Sequence, residues 1–232
     1  MDEQLRRRAA IFAALGEPVR LALVDRLVIG DLSPGQLAAD LGLGTNLAAH
    51  HLKVLEDAGV IRRIRSEGDR RRSYVQLRAD DETVRAVTRS RSAPRGIPAT
   101  MDQVLFVCTA NSARSQLAAA TWNSVSTIPA ASAGTHPAPR VQPLARAVAR
   151  RHGLALEANP VSIQDVLRGG DQLVVAVCDN AHEELSPELP RIHWSIPDPA
   201  RRRSRTAYEE AYNQINHRVR HLSTIQADVA HG

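Results

Sequence analysis

The chain has 232 residues, 43% hydrophobic and 24% charged, with a formal charge of +5. That length fits one large domain or two small ones, each able to bury a core, and no apolar run approaches the roughly 18–20 residues of a membrane span. Two cysteines far apart in sequence exclude a secreted disulfide framework, and the charged start Met1–Arg8 lacks the apolar core of a signal peptide, so a reducing cytoplasm is expected.

Residues 1–87 read as mostly helical. Leu5, Phe12 and Leu15 recur at helical spacing, and a second helical pattern runs from Pro18 to Ile29. Ser33-Pro34-Gly35-Gln36 is a helix start: Ser33 caps, Pro34 fits the first turn and Gln36 takes the capping-box position. That helix stops at Gly42. A further helix, Thr45 to Ala58, turns Ala48, Leu52 and Leu55 to one face and ends at Gly59. Two helices about a tight Gly-containing turn form a helix-turn-helix. Val60–Arg65 and Ser73–Leu77 then read as strands around the polar turn Ser66–Asp69 and three arginines. Helix-turn-helix plus basic hairpin is a winged helix.

This arrangement predicts binding to double-stranded operator DNA. The outward face of the second helix carries Thr45, Asn46, Ala49, His50 and Lys53 to meet base edges, and Arg70, Arg71 and Arg72 of the wing hold phosphates. Arg62, Arg63, Arg65 and Arg70–Arg72 crowd into eleven residues against Glu67 and Asp69, so binding should weaken steeply with salt. The stretches Ile11–Leu21 and Ala49–Val60 resemble the ArsR family of bacterial metalloregulatory repressors. That resemblance implies a homodimer formed by terminal helices on a palindromic operator. Two departures stand out. Leu47 and Ala49 replace Ser or Thr common on family recognition helices. Ser33 and Gly35 stand where arsenite-responsive members carry cysteines. This half has no cysteine, and its histidines are His50 and His51 alone, so no metal site is expected there and any signal must arise elsewhere.

Residues 88–101 are rich in Ser, Arg, Pro and Gly without apolar period and read as a linker. Residues 102–232 alternate strands and helices: strand Gln103–Val107, helix Ser115–Asn123, helix Leu144–His152, buried strand Asp171–Cys178, a weaker strand Ile192–Ile196, and a closing helix from Thr206 to Leu222. The pattern predicts an α/β open parallel sheet with its site at the carboxyl ends of the strands. Cys108, Cys178 and Asp198 all fall there.

The stretch Cys108-Thr109-Ala110-Asn111-Ser112-Ala113-Arg114-Ser115 lies between strand and helix. Its backbone N–H groups and the helix N-terminus favour a tetrahedral oxyanion such as arsenate or phosphate. Arg114 can grip two oxygens through its planar fork, and this positive setting favours a Cys108 thiolate. Asn111 would hold the loop's shape, Ser115 would hydrogen-bond the sulfur, and Asp198 would protonate a departing oxygen. His136, His182 and His193 show no zinc-ligand spacing.

Together with Ser132-Ala133-Gly134-Thr135, Trp194 and Asp198-Pro199, these residues resemble the low-molecular-weight protein tyrosine phosphatases and the arsenate reductases that share their fold. The resemblance implies a four-stranded parallel sheet, with Cys108 as nucleophile, Arg114 as oxyanion binder and Asp198 as general acid. Ala200 and Arg201 replace the aromatic residues that usually follow Asp-Pro in the tyrosine phosphatases, which favours a small substrate. Cys178 matches the second cysteine of thioredoxin-linked arsenate reductases. The third position is Leu185, so the internal relay is incomplete. On that resemblance two outcomes remain open: a Cys108–Cys178 disulfide opened by an external reductant such as the thioredoxin system, or direct attack on the adduct by a small thiol such as mycothiol or glutathione. The combined expectation is a DNA-binding regulator fused to a thiol-dependent arsenate reductase, without tightly bound cofactor. The alternatives are a second domain that senses an oxyanion without turnover, and a small-substrate cysteine phosphatase.

Overall fold

The computed structural model describes residues 2–88 and 100–231, and side chains as far as residue 228. Most of the expected linker lies outside the described residues. The chain divides into two compact units, one drawn from residues 1–95 and one with its body in 96–232.

The first unit runs α1 (Glu3–Leu15), α2 (Pro18–Leu27), α3 (Pro34–Asp40), α4 (Thr45–Asp57), β1 (Ile61–Arg65), β2 (Ser73–Leu77) and α5 (Glu82–Thr88). Its boundaries follow the local chemistry. The Glu17 carboxylate accepts from the backbone N–H groups of Val19 and Arg20 and so opens α2 ahead of Pro18. Ser33 and Gln36 form the expected reciprocal capping box on α3. Gly42 (φ 62°) and Gly59 (φ 73°) take left-handed conformations that end α3 and α4. The strands pair antiparallel from Ile61↔Leu77 to Arg65↔Ser73, and Leu32 bridges to Val75 as an extra edge. Ile11, Leu23, Leu37, Leu52, Leu55 and Val75 fill the core.

The helix expected from the spacing of Leu5, Phe12 and Leu15 is present as α1, but of that trio only Leu15 packs inward, with Leu5 and Phe12 51% and 53% exposed; Ile11 and Ala14 complete the inner stripe. His51 is buried in the same unit, with Nδ1 3.5 Å from Glu17 Oε2.

The second unit runs β3 (Gln103–Cys108), α6 (Arg114–Asn123), β4 (Ala130–Gly134), α7 (Pro143–Arg151), α8 (Ile163–Val166), β5 (Gln172–Ala176), α9 (Asp179–Glu184), β6 (Ile192–His193), α10 (Pro199–Arg202) and α11 (Arg205–His231). Its four strands are all parallel, in the order β4-β3-β5-β6. The chain leaves β3 to one side for β4 and later returns on the other side for β5. The topological switch point therefore lies at the carboxyl end of β3, where ligands of open α/β sheets bind. Phe106 on β3 packs between Trp122 and Trp194, with ring centroids 6.2 and 5.8 Å away. Tyr208, Tyr212, Ile215, Val219 and Leu222 of α11 are all buried, as their helical spacing predicts. The strand β6 is shorter than expected, with only Ile192 and His193 in the ladder.

Candidate active site

Cys108 is the last residue of β3 and Arg114 the first of α6, so the span between strand and helix is held at both ends. Its curvature is set by carbonyls. Those of Cys108, Thr109, Ala110 and Ser112 accept from the N–H groups of Thr135, His136, Ala138 and Gln142, at 2.8–3.1 Å. Within each peptide unit the N–H points opposite to the C=O, so these ties turn the following N–H groups to the concave side. One of them shows it directly: Asn111 N donates to Cys108 Sγ at 3.2 Å. The result is a nest of amide hydrogens at a helix N-terminus, suited to an oxyanion.

Side chains lock the form. Asn111 is fully buried with φ 47°, a conformation tolerated by asparagine better than most residues. Its Nδ2 donates to Ser115 Oγ at 2.9 Å and to Ser132 Oγ at 2.8 Å. Its Oδ1 accepts from Val161 N at 2.9 Å. Ser115 Oγ lies 3.1 Å from Cys108 Sγ. Gly134 has a steric reason: a Cβ there would sit 2.7 Å from the Thr109 carbonyl oxygen and 2.9 Å from Asn111 N. Any side chain would push the loop out of shape.

Arg114 is buried. Its Nη1 donates to the Ile196 carbonyl at 2.8 Å, and its Nη2 lies 3.7 Å from Asp198 Oδ1. Burial opposes its charge, but Cys178, Cys108 and Asp198 around it more than compensate and hold its pKa above the ordinary arginine value. Asp198 is half-buried, and Oδ1 also accepts from Ala200 N to cap α10. Cys178, at the start of α9, is buried with Sγ 3.6 Å from Thr109 Oγ1. Burial pushes its thiol pKa up and nearby Cys108 adds to this, while Arg114 pulls the other way. Both cysteines are free thiols.

The structure thus gathers Cys108, Asn111, Arg114, Ser115, Cys178 and Asp198 at one end of the sheet. Three contributors lie outside the sequence-read site. Ser132 and Gly134 come from β4. Tyr208 of α11 is buried, and burial first and the Asp198 carboxylate second raise its pKa, against an opposing pull from Arg114. The signal for the first two was the Ser-Ala-Gly-Thr stretch, noted only as part of a resemblance. Tyr208 reads simply as one member of an apolar helical stripe. Next to Cys178, Asp179 pairs with His193 at 3.0 Å, both buried. Burial alone would raise the Asp179 pKa, but the hydrogen bonds this carboxylate accepts, that of His193 foremost, prevail and lower it. Among the described residues no group of three or more His, Cys, Asp or Glu is placed to hold a metal ion, and no helix is long and apolar enough to cross a membrane.

On the first unit Thr45, Asn46, Ala49, His50 and Lys53 share the exposed face of α4, together with Leu47. Arg70, Arg71 and Arg72 of the hairpin are exposed. Lys53 is engaged by Asp57 at 2.9 Å on its own helix.

Residues 103–231 match the family model described as low molecular weight phosphotyrosine protein phosphatase, and residues 8–64 match a helix-turn-helix domain. Over 61 residues the chain is 34% identical to a biofilm growth-associated repressor of Xylella fastidiosa, covering 26% of this chain and 54% of that protein. The chain thus spans about half the length of the curated relatives it matches. An arsenate reductase structure from Archaeoglobus fulgidus is 33% identical, with 52% of this chain and 98% of that one covered at a TM-score of 0.47. The tyrosine phosphatase Wzb from Escherichia coli K30, solved with sulphate, is 21% identical, with coverage of 54% and 98% and a TM-score of 0.48. With the matched region spanning more than half its length, the chain belongs to the low molecular weight phosphotyrosine protein phosphatase family, and it carries a helix-turn-helix domain ahead of that region.

Proposed function

We propose that the second unit is a thiol-dependent arsenate reductase and that the first binds operator DNA as a homodimer. The observation that carries the enzymatic reading is the second thiol: Cys178 is buried against Thr109 of the loop that Cys108 begins. A phosphatase needs one sulfur; a reductase needs two electrons, which a second thiol supplies. The small Ala200 after Asp198-Pro199 points the same way, since it offers no aromatic ring for a phosphotyrosine to stack on.

In this mechanism Cys108 Sγ attacks the arsenic of arsenate bound by the loop amides and Arg114. The bond to one arsenate oxygen breaks, and the Asp198 proton leaves with it as water. A second thiolate, Cys178 or an external thiol, then attacks Cys108 Sγ. The electron pair of the S–As bond passes to arsenic, which departs as arsenite, and a disulfide remains. Thioredoxin, glutathione or mycothiol restores the thiols. Phosphate would bind the same loop without being reduced.

The test is arsenite production with each thiol donor. Turnover lost in Cys108→Ser, and a thioredoxin-driven rate lost in Cys178→Ser while aryl phosphate hydrolysis survives, is the expected pattern. Aryl phosphate hydrolysis lost in Cys108→Ser and Asp198→Asn, without arsenite from any donor, would replace this reading with a small-substrate phosphatase. Oxyanion binding without turnover of either kind would leave a sensor.

The DNA reading rests on the exposed α4 face beside the arginine-rich hairpin. The homodimer reading draws on α1, where Leu5 and Phe12 lie exposed. Because the first unit has no thiol, the oxyanion or the arsenite product at the second unit is the proposed signal. Operator affinity indifferent to arsenate, arsenite and phosphate alike would remove that signal.

A further inference from the structure

Leu47 is one of few large apolar side chains left exposed, at 49%, and it stands in the first turn of α4. Nothing in the fold asks for it. The inner face of α4 is complete with Ala48, His51, Leu52 and Leu55, all buried. Leu47 lies at the edge of the outer face, three residues before His50, and the exposed side chains of that face able to hydrogen-bond a base edge include Asn46, His50 and Lys53. The helix start is also bare. Gly44 at its cap makes no side-chain hydrogen bond, and the first turn has no acidic residue, so its partial positive charge faces outward.

The charge of the neighbourhood names the occupant. Arg65, Arg70, Arg71 and Arg72 are exposed on the adjoining hairpin, the complement of a phosphate backbone. In a major groove the one apolar group presented by base edges is the thymine 5-methyl. We propose that Leu47 reads a thymine methyl group, so that the first unit selects its site partly by apolar contact rather than by hydrogen bonding alone. This inference rests on the DNA-binding reading given above.

Removing the methyl without touching the protein gives the test. Duplexes selected from a random pool by the full chain yield a consensus, and each thymine in it is replaced in turn by deoxyuridine. Burying a group the size of a methyl contributes about 0.8 kcal/mol, so deoxyuridine at the contacted position should weaken wild-type binding about fourfold. Leu47→Ala should bind thymine and deoxyuridine duplexes alike at that position, with its salt dependence unchanged because leucine holds no phosphate. Leu47→Met, still apolar, should keep the preference.

A consensus without thymine, equal affinity for both duplexes at every position, or a methyl preference that persists undiminished in Leu47→Ala would overturn the proposal while leaving DNA binding intact. Failure to enrich any duplex would remove the DNA reading and this inference with it. Because the substituted side chain is exposed and the base change lies on the DNA, loss of folding does not enter the comparison.

Discussion

The loop at Cys108 and the outer face of α4 are the two surfaces proposed to act, and they are built on opposite plans. In the loop Asn111, Ser112, Arg114 and Ser115 are buried, and Asn111, Arg114 and Ser115 are tied to named partners inside their own unit. On α4 the side chains assigned to recognition are exposed and contribute nothing to the core. The difference follows from the tasks. Bond-breaking at a tetrahedral centre needs donors already aimed, which takes rigidity and exclusion of water. Reading a groove needs side chains free to meet a surface that arrives later. Substitution should therefore be unforgiving in the first region and graded in the second.

The largest effect is expected at Cys108. Replacement by serine should lower turnover by on the order of 10⁴-fold or more, the scale for removing a nucleophile from a concerted site, with circular dichroism unchanged. Activity retained within tenfold would place the chemistry elsewhere.

Next comes Gly134, which touches no substrate. Gly134→Ala should displace the loop from behind and reduce turnover about 10²-fold, the scale of a misplacement near 1 Å. Arsenate or phosphate affinity should fall with it. Equal affinity for phosphate in both proteins would show that the Thr109 carbonyl yields without disturbing the nest.

The pH dependence of the disulfide step sharpens the contrast within the site. Since burial and Cys108 raise the Cys178 pKa above the ordinary thiol value, its thiolate fraction grows with pH through neutrality. The single-turnover rate of disulfide formation should rise up to about tenfold per pH unit between roughly pH 7 and 9. A flat profile would mean that deprotonation of Cys178 does not limit the step. Arg114→Lys tests the oxyanion grip instead: a positive charge on a flexible stem holds an oxyanion less well than the planar guanidinium, so this variant should bind phosphate more weakly.

On the graded side, replacing Arg70, Arg71 and Arg72 together by alanine should reduce the slope of log affinity against log salt by up to about 0.9 for each phosphate no longer neutralised. Filter binding or anisotropy across a salt series measures it. A slope unchanged from wild type would take the hairpin off the DNA.

The smallest effect concerns acid stability. Burial would raise the Asp179 pKa, but the hydrogen bonds it accepts, that of His193 foremost, outweigh this and hold the folded value below the ordinary aspartate range. A depressed carboxylate pKa contributes stability that is present above the unfolded value and lost as pH falls through the folded one. Wild type should lose stability below about pH 4 more steeply than Asp179→Asn, by roughly 1–2 kcal/mol. Parallel urea profiles from about pH 6 to 3 would show that the pair contributes nothing titratable.

How far these surfaces can be read from the residues alone follows the same division. The unit β3–loop–α6 is legible because strand, loop and helix are contiguous, so a local pattern carries a local shape. β4 is not. Ala130-Ala131-Ser132-Ala133-Gly134 has none of the β-branched and aromatic residues that mark strands. It becomes one because small residues let it pass close behind the loop, with Gly134 against Thr109. The core stripe of α1 misleads because Leu5 and Phe12 are apolar but outward; apolar spacing does not say whether a face meets a core or another surface. The burial of His51 follows from its place three residues after Ala48 and four before Leu55; what a local pattern hides is its partner, Glu17, which lies outside its own helix.

The ties between the loop carbonyls and residues 135–142 have one more consequence. A receptacle whose outline is fixed by its own main chain fits any anion of four oxygens about equally well, and phosphate is isosteric with arsenate. Discrimination then cannot lie in the grip. It lies in what happens afterwards, since only a centre able to accept an electron pair can leave changed. For the proposed chemistry the abundant anion is a reversible visitor, and the rare one is recognised by its redox fate.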